Sequence, residues 1–189
     1  MTKHYSTKKR FFIIDGYAFL YRAHYALIRN PLITSYGLHT SALFGFSNML
    51  MKLIKKENPD YLACAFDSKG KTFRHNMFPD YKANRSEMPK EMQDQLVHLW
   101  EILDLMNIPV LKKNGVEADD IIGTLAKNAK DEGLCTFIVS GDKDFTQLID
   151  EDILLYAPGM RKAPDPVIYD ADKVEQKWGV PRCPCVHNH

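Results

Sequence analysis

Short apolar runs alternate along this chain with stretches in which apolar residues return every three or four positions. The runs at 11–14, 61–66, 108–111, 134–139 and 153–156 are too short for helices and read as buried strands. A helix starts near Ala18 and carries Arg22 and His24. A second runs from an N-cap at Thr40 or Ser41 to about Lys56, with Leu43, Phe46, Leu50, Leu53 and Ile54 as its stripe. Met92, Leu96, Leu99, Leu103 and Met106 predict one long helix from Pro89 onward. A short helix with Phe145, Leu148 and Ile149 follows the run at 134–139. The segment 167–170 and a helix around 173–178 close the readable part. Strands alternating with helices imply a mostly parallel sheet covered on both faces, an α/β fold.

The strongest helical pattern begins at Gly115. Ala118, Ile121, Ile122, Leu125, Ala126 and Ala129 fall on one helix face, and Glu117, Asp119 and Asp120 crowd its start. Glu117 and Asp120 lie about 60° apart on the side predicted to face water, with Asp119 at the border of the buried stripe. A helix dipole favours one or two acids in a first turn. A third repels the others and calls for a cation.

Further acids follow the strands. Asp15, Asp67 and the pair Asp142 and Asp144 each come directly after an apolar run. Such a residue alone reads as a cap or a turn. In a parallel sheet, however, these strand ends share the edge where α/β folds place ligands. With Glu117, Asp119 and Asp120, seven carboxylates are expected to converge. An all-oxygen set suits Mg²⁺, with Mn²⁺ as substitute, and so many acids suggest two ions or one with a rich surround. Two such ions clamp the attacking and leaving oxygens of a phosphodiester.

Length and composition fit one ordinary globular domain: 189 residues, 45% apolar, 26% charged. Formal net charge is +1, so any attraction to nucleic acid must be local. No run reaches the length of a membrane span and no secretory leader opens the chain, so a cytoplasmic protein is expected. Cys64 and Cys135, inside apolar runs, read as buried thiols. Residues 1–10 read as a mobile basic lead-in. The local basic signal lies at 68–90, where Lys69, Lys71, Arg74, Lys82, Arg85 and Lys90 face only Asp80 and Glu87, with Phe73, Phe78 and Tyr81 interleaved. A solvated loop is the plain reading. Its start directly after Asp67 favours a cover for the acidic edge that holds phosphates and stacks bases.

These residues resemble a known family. Ile14-Asp15-Gly16 with Leu20-Tyr21-Arg22, Ala65-Phe66-Asp67 with Lys71-Thr72-Phe73-Arg74, Tyr81-Lys82-Ala83-Asn84-Arg85, the stretch from Gly115 to Ala126, and Gly141-Asp142-Lys143-Asp144 are similar to the motifs of one nuclease domain. It is the 5′-nuclease domain of bacterial DNA polymerase I and, more widely, of flap endonucleases and phage 5′-exonucleases. The resemblance covers 10–181. It implies a PIN-like three-layer fold with a mostly parallel central sheet and a basic helical-arch insertion. It also implies Mg²⁺-dependent hydrolysis of DNA at a single-stranded 5′ end or flap, by a monomer, in replication and repair. It maps Asp15, Asp67, Glu117, Asp119, Asp120, Asp142 and Asp144 onto metal-binding acids. Lys82 would contact the scissile phosphate, and Arg74 would guide phosphates beside it. Arg22, Lys71, Phe73, Tyr81 and Arg85 complete the DNA contacts.

The resemblance stops at 182–189, where the family continues with an Asp-rich motif and a helix–three-turn–helix subdomain. The expectation is a core at 11–181 lacking that subdomain and ending in an atypical tail. A polymerase domain is the partner the family suggests. Cys183, Cys185, His187 and His189 are spaced too closely for an ordinary structural zinc site. Two other functions are weighed beside the nuclease: a catalytically impaired single-strand or flap-binding module, and a PIN-like ribonuclease.

Overall fold

The computed structural model describes residues 7–78, 80–83, 86–159 and 165–179. Six strands form one sheet in the order β3-β2-β1-β4-β5-β6. They are β1 (Arg10–Asp15), β2 (Tyr61–Ala65), β3 (Val110–Leu111), β4 (Cys135–Val139), β5 (Ile153–Ala157) and β6 (Val167–Tyr169). All neighbours pair in parallel except β6, which runs antiparallel at the edge.

Two-residue alternation along the strands builds the three layers. Phe12 and Ile14 point into one buried cluster and Ile13 into the other. The first cluster lies under α1 (Gly16–Ala26), α2 (Ser41–Glu57), and the pair α4 (Lys90–Gln93) and α5 (Leu96–Leu105); a five-residue α3 (Phe73–Met77) stands apart. The second lies under α6 (Ala118–Asp131), with Ile122 and Ala126 against Ile13 and Ile138. A 3₁₀ turn, Lys143–Leu148, and α7 (Ala171–Trp178) complete the fold. Gly45 lets α2 cross α1 closely, since a Cβ there would sit 2.9 Å from the Ala23 Cβ.

Three sequence expectations are corrected. The long helix from Pro89 breaks at Asp94 and Gln95. The buried Gln95 side chain donates to the Glu91 carbonyl, the acceptor its own N–H would take in an α-helix; that N–H turns to Met92 instead. The Gln95 Oε1 accepts from the Leu43 N–H at 3.0 Å, tying the break to α2. The helix after Asp142 is a 3₁₀ turn, because the Asp142 side chain accepts from Asp144 N–H and tightens its start. The stretch before residue 11 is not all lead-in: Arg10 opens β1, donating to the backbone of Glu57 and Asn58, and Lys8 Nζ sits 2.7 Å from Asp152. Cys64 and Cys135 are buried free thiols, each pushed up to about 12, chiefly by burial. Among the described residues no helix is long and apolar enough to cross a membrane. The 182–189 tail lies outside the described residues.

Candidate active site

The parallel strands deliver their terminal acids to one edge. Asp15 ends β1 and caps α1, accepting from Ala18 N–H at 3.2 Å. Asp67 follows β2 and accepts the Ala118 N–H at 2.7 Å, which ties it to the first turn of α6. Asp142 follows β4 and caps the 3₁₀ turn. Asp119 stands in the first turn of α6. These four carboxylates lie close enough to act on one another. Burial, opposed by bonds from Ala18 and Ser140, raises the Asp15 carboxyl, and the charges of Asp67 and Asp142 add to the rise. Burial also raises Asp119 to about 6, helped by Asp15, Asp67 and Asp142 and opposed by Lys82.

Two contacts set the spacing of this group. Ser140, only 2% exposed, donates to Asp15 Oδ2 at 3.0 Å and accepts the Asp142 N–H at 3.1 Å. A serine after an apolar strand carries no special sequence signal, and Ser140 escapes a reading that looks for charge. The second contact joins the residue after Asp15 to the residue before Asp67. A Cβ on Gly16 would lie 2.2 Å from Phe66 Cε1, so the Phe66 ring rests on bare Gly16 backbone. Tyr17 and Trp100 hold that ring edge-on, with centroids 5.2 and 4.6 Å away.

The remaining acids are arranged differently. Glu117, predicted to face water, is 5% exposed. The basic segment covers it: Lys82 Nζ lies 2.9 Å from its Oε1, Tyr81 donates to its Oε2 at 3.1 Å, and an Arg74 guanidinium nitrogen is 3.5 Å away. Arg74 also grips Asp120 through two bonds of 2.7 Å, which holds that carboxyl below its ordinary range. Asp120 in turn accepts the Glu117 N–H at 3.0 Å. Asp144 joins Asp119, Asp120 and Asp142 in lining a cavity of about 380 Å³ between α6 and the 3₁₀ turn.

The basic segment therefore folds down on the acidic helix as expected, through Arg74, Tyr81 and Lys82. Lys82 adopts the left-handed region, φ 56°, uncommon for a side-chain-bearing residue and frequent at functional turns. Phe73 is half-exposed, with the Arg74 guanidinium 4.6 Å from its ring. Lys71 is exposed. Arg22 points elsewhere, donating to the carbonyls of Pro158 and Gly159. Arg85 lies outside the described residues.

Among the described residues no three His, Cys, Asp or Glu side chains already stand at metal-ligating spacing. The chemistry of the donors nonetheless fits a hard divalent cation: partly desolvated aspartates repel one another where only oxygen ligands are offered.

This architecture, a mostly parallel sheet with acids at its carboxyl edge, is a PIN-like nuclease fold. Its solved likenesses include a T5 5′-exonuclease with bound divalent zinc ions, at TM-score 0.66 and 18% identity over 91% of this chain and 62% of that one. Another is a T5 D15 flap endonuclease complex with DNA and metal ions, at TM-score 0.65 and 18% identity over 91% and 61%. Residues 10–179 match the family described as 5′-3′ exonuclease, N-terminal resolvase-like domain, and the chain belongs to it. A 5′-3′ exonuclease of Aquifex aeolicus is 40% identical over 91% of this chain and 57% of its own length. DNA polymerase I of Bacillus subtilis is 38% identical over 92% of this chain and 19% of its own. The chain thus spans about a fifth of that polymerase and somewhat over half of the exonuclease.

Proposed function

We propose that this chain is a divalent-metal-dependent 5′-3′ exonuclease and 5′-flap endonuclease acting on DNA in replication and repair. The observation that carries the reading is the meeting of a mutually repelling aspartate group with a basic, aromatic cover at one sheet edge. Asp15, Asp67, Asp119 and Asp142, with Asp144 beside them, would hold Mg²⁺ or Mn²⁺. Glu117 and Asp120 would join once their basic partners turn to DNA. The bound ions would supply Lewis-acid stabilisation of the phosphoryl oxygens and ease deprotonation of the attacking water.

The chain's own residues do the rest. Lys82 exchanges Glu117 for the scissile phosphate and offsets the charge that grows on it. Arg74 gives up Asp120 for a neighbouring phosphate, matching it with the same planar fork. Lys71 and Arg85 extend the phosphate track. Phe73 and Tyr81 offer ring faces to unpaired bases. Arg22 contributes the guanidinium donors that do not reach Pro158 and Gly159.

One observation favours a second reading. Arg74 and Lys82 neutralise Glu117 and Asp120, so a flap-binding module that turns over slowly is compatible with this geometry. Cleavage of a labelled 5′-flap DNA with Mg²⁺, with Mn²⁺ and with chelator decides between them. The nuclease reading expects metal-dependent release of the flap. Binding without cleavage in either metal would leave the module.

A further inference from the structure

Lys69, at the start of the basic segment, together with Lys112 and Lys113 after β3, forms a basic group to which the nuclease reading gives no role. Lys69, Lys112 and Lys113 are exposed, and no ion pair joins any of them to an acid among the described residues. The two loops are joined by the Ser68 hydroxyl, which donates to the Lys113 carbonyl at 3.0 Å. Lys112 is unusual. Its ammonium sits 3.3 Å from the centre of the Trp100 ring and 5.4 Å from that of Phe66, and burial there together with the Lys69 charge lowers its proton affinity. Like charges packed together with no acid in an ion pair with them invite an anion, as the aspartates next to them invite a cation. Behind Lys112 lies an open cavity of about 720 Å³, with Trp100 as its aromatic wall, Asn107 on its polar edge and the carboxylates of Glu101 and Asp104 also in its lining. Trp100 meets Phe66 edge-on at 4.6 Å, and Phe66 immediately precedes Asp67, which links the aromatic wall of this hollow to the end of β2.

We infer that Lys69, Lys112 and Trp100 form a subsite for one nucleotide of single-stranded DNA. The lysines take its phosphate. As Lys112 moves to the phosphate it uncovers the Trp100 face, and the base stacks there with its edge toward Asn107 and Asp104. An acidic peptide would satisfy the lysines but would have no use for a flat indole surface. The subsite rests on the nuclease reading only for the source of its strand.

The chain has two tryptophans, so Trp178→Phe leaves Trp100 as the single reporter. In that background, fluorescein-labelled 5′-phosphorylated oligo(dT) is titrated with chelator present, reading anisotropy and Trp100 fluorescence together. The expected result is saturable Trp100 quenching that tracks the anisotropy. Lys69→Ala and Lys112→Ala should each weaken binding and reduce the slope of log affinity against log salt by about 0.7. Lys69→Ala does this without touching Trp100, which separates the subsite from a local change around the indole. DNA that binds by anisotropy without a Trp100 response, or slopes unchanged in both variants, would overturn the subsite and leave the nuclease reading standing. No binding at all would overturn the subsite as well, while flap cleavage with metal judges the nuclease reading separately.

Discussion

Lys82 Nζ lies 2.9 Å from Glu117 Oε1, a bond that joins the left-handed turn of the basic segment to the entrance of α6. Glu117 is buried, so the ammonium offsets a charge that water does not reach. The same ammonium opposes, without reversing, the rise of the Asp119 carboxyl. Lys82 thus bridges the basic segment and the acidic group. If it acts on phosphate during the reaction, Lys82→Ala should lower single-turnover cleavage of flap DNA by about 10²-fold. Affinity for the same flap in chelator should change far less. A variant that loses affinity and cleavage in equal measure would make Lys82 a binding residue only.

Asp119 sets a pH dependence whose sign follows from its raised carboxyl, about 6 when folded against an ordinary 3.8. Between those values the folded chain holds a proton that the unfolded chain has released. Metal-free stability therefore falls as pH rises through that window and stays lower above it. Asp119→Asn removes the penalty. In chelator its Tm should exceed that of the parent at neutral pH, and the gap should close near pH 4. Added Mn²⁺ should raise the parent Tm at neutral pH and the variant's much less. The same substitution should cut Mg²⁺-dependent cleavage by orders of magnitude. Equal cleavage by the variant would remove Asp119 from the metal-holding group.

Gly16 and Phe66 form a mechanical link between two acids. Gly16→Ala forces the Phe66 ring away, and that ring is fully buried between Tyr17 and Trp100. The shift reaches Asp15 and Asp67 through adjacent backbone. Mn²⁺ affinity, followed by titration, should drop in Gly16→Ala and recover in Gly16→Ala with Phe66→Leu, where the flat ring is gone. Failure of the double variant to recover, in a protein that still melts cooperatively, would show that the contact does not control the carboxylates.

Much of this was readable in the chain because strand ends in a parallel sheet must share an edge. Asp15, Asp67 and Asp142 could be placed together from their position after apolar runs alone, and β1, β2, β4 and β5 fell where those runs lie. Periodicity gives the helical phase of Glu117 but not what packs over it, so its burial under Lys82, Tyr81 and Arg74 was not legible. The break between α4 and α5 depends on Gln95 reaching α2, a tertiary bond that no local pattern records. Ser140 and Trp100 carry no sequence signal for the same reason. Their roles come from neighbours distant in sequence, Asp15 for one and Lys112 for the other.

Ser140 gives the sharpest separation of structure from chemistry. Its hydroxyl bonds to Asp15 Oδ2 and favours the charged form of a carboxyl that burial already raises. Ser140→Ala deletes that donor, so Asp15 should hold its proton to still higher pH. A cation must displace that proton to bind. The Mg²⁺ concentration for half-maximal cleavage should therefore rise at acidic pH, and the excess should shrink toward the parent value at alkaline pH, as the raised Asp15 carboxyl gives up its proton in both proteins. The Asp142 N–H also loses its acceptor, a loss of about 1 kcal/mol in stability that does not vary with pH. A Mg²⁺ requirement shifted equally at acidic and alkaline pH would mean that Ser140 acts by holding the loop at Asp142, not by tuning Asp15.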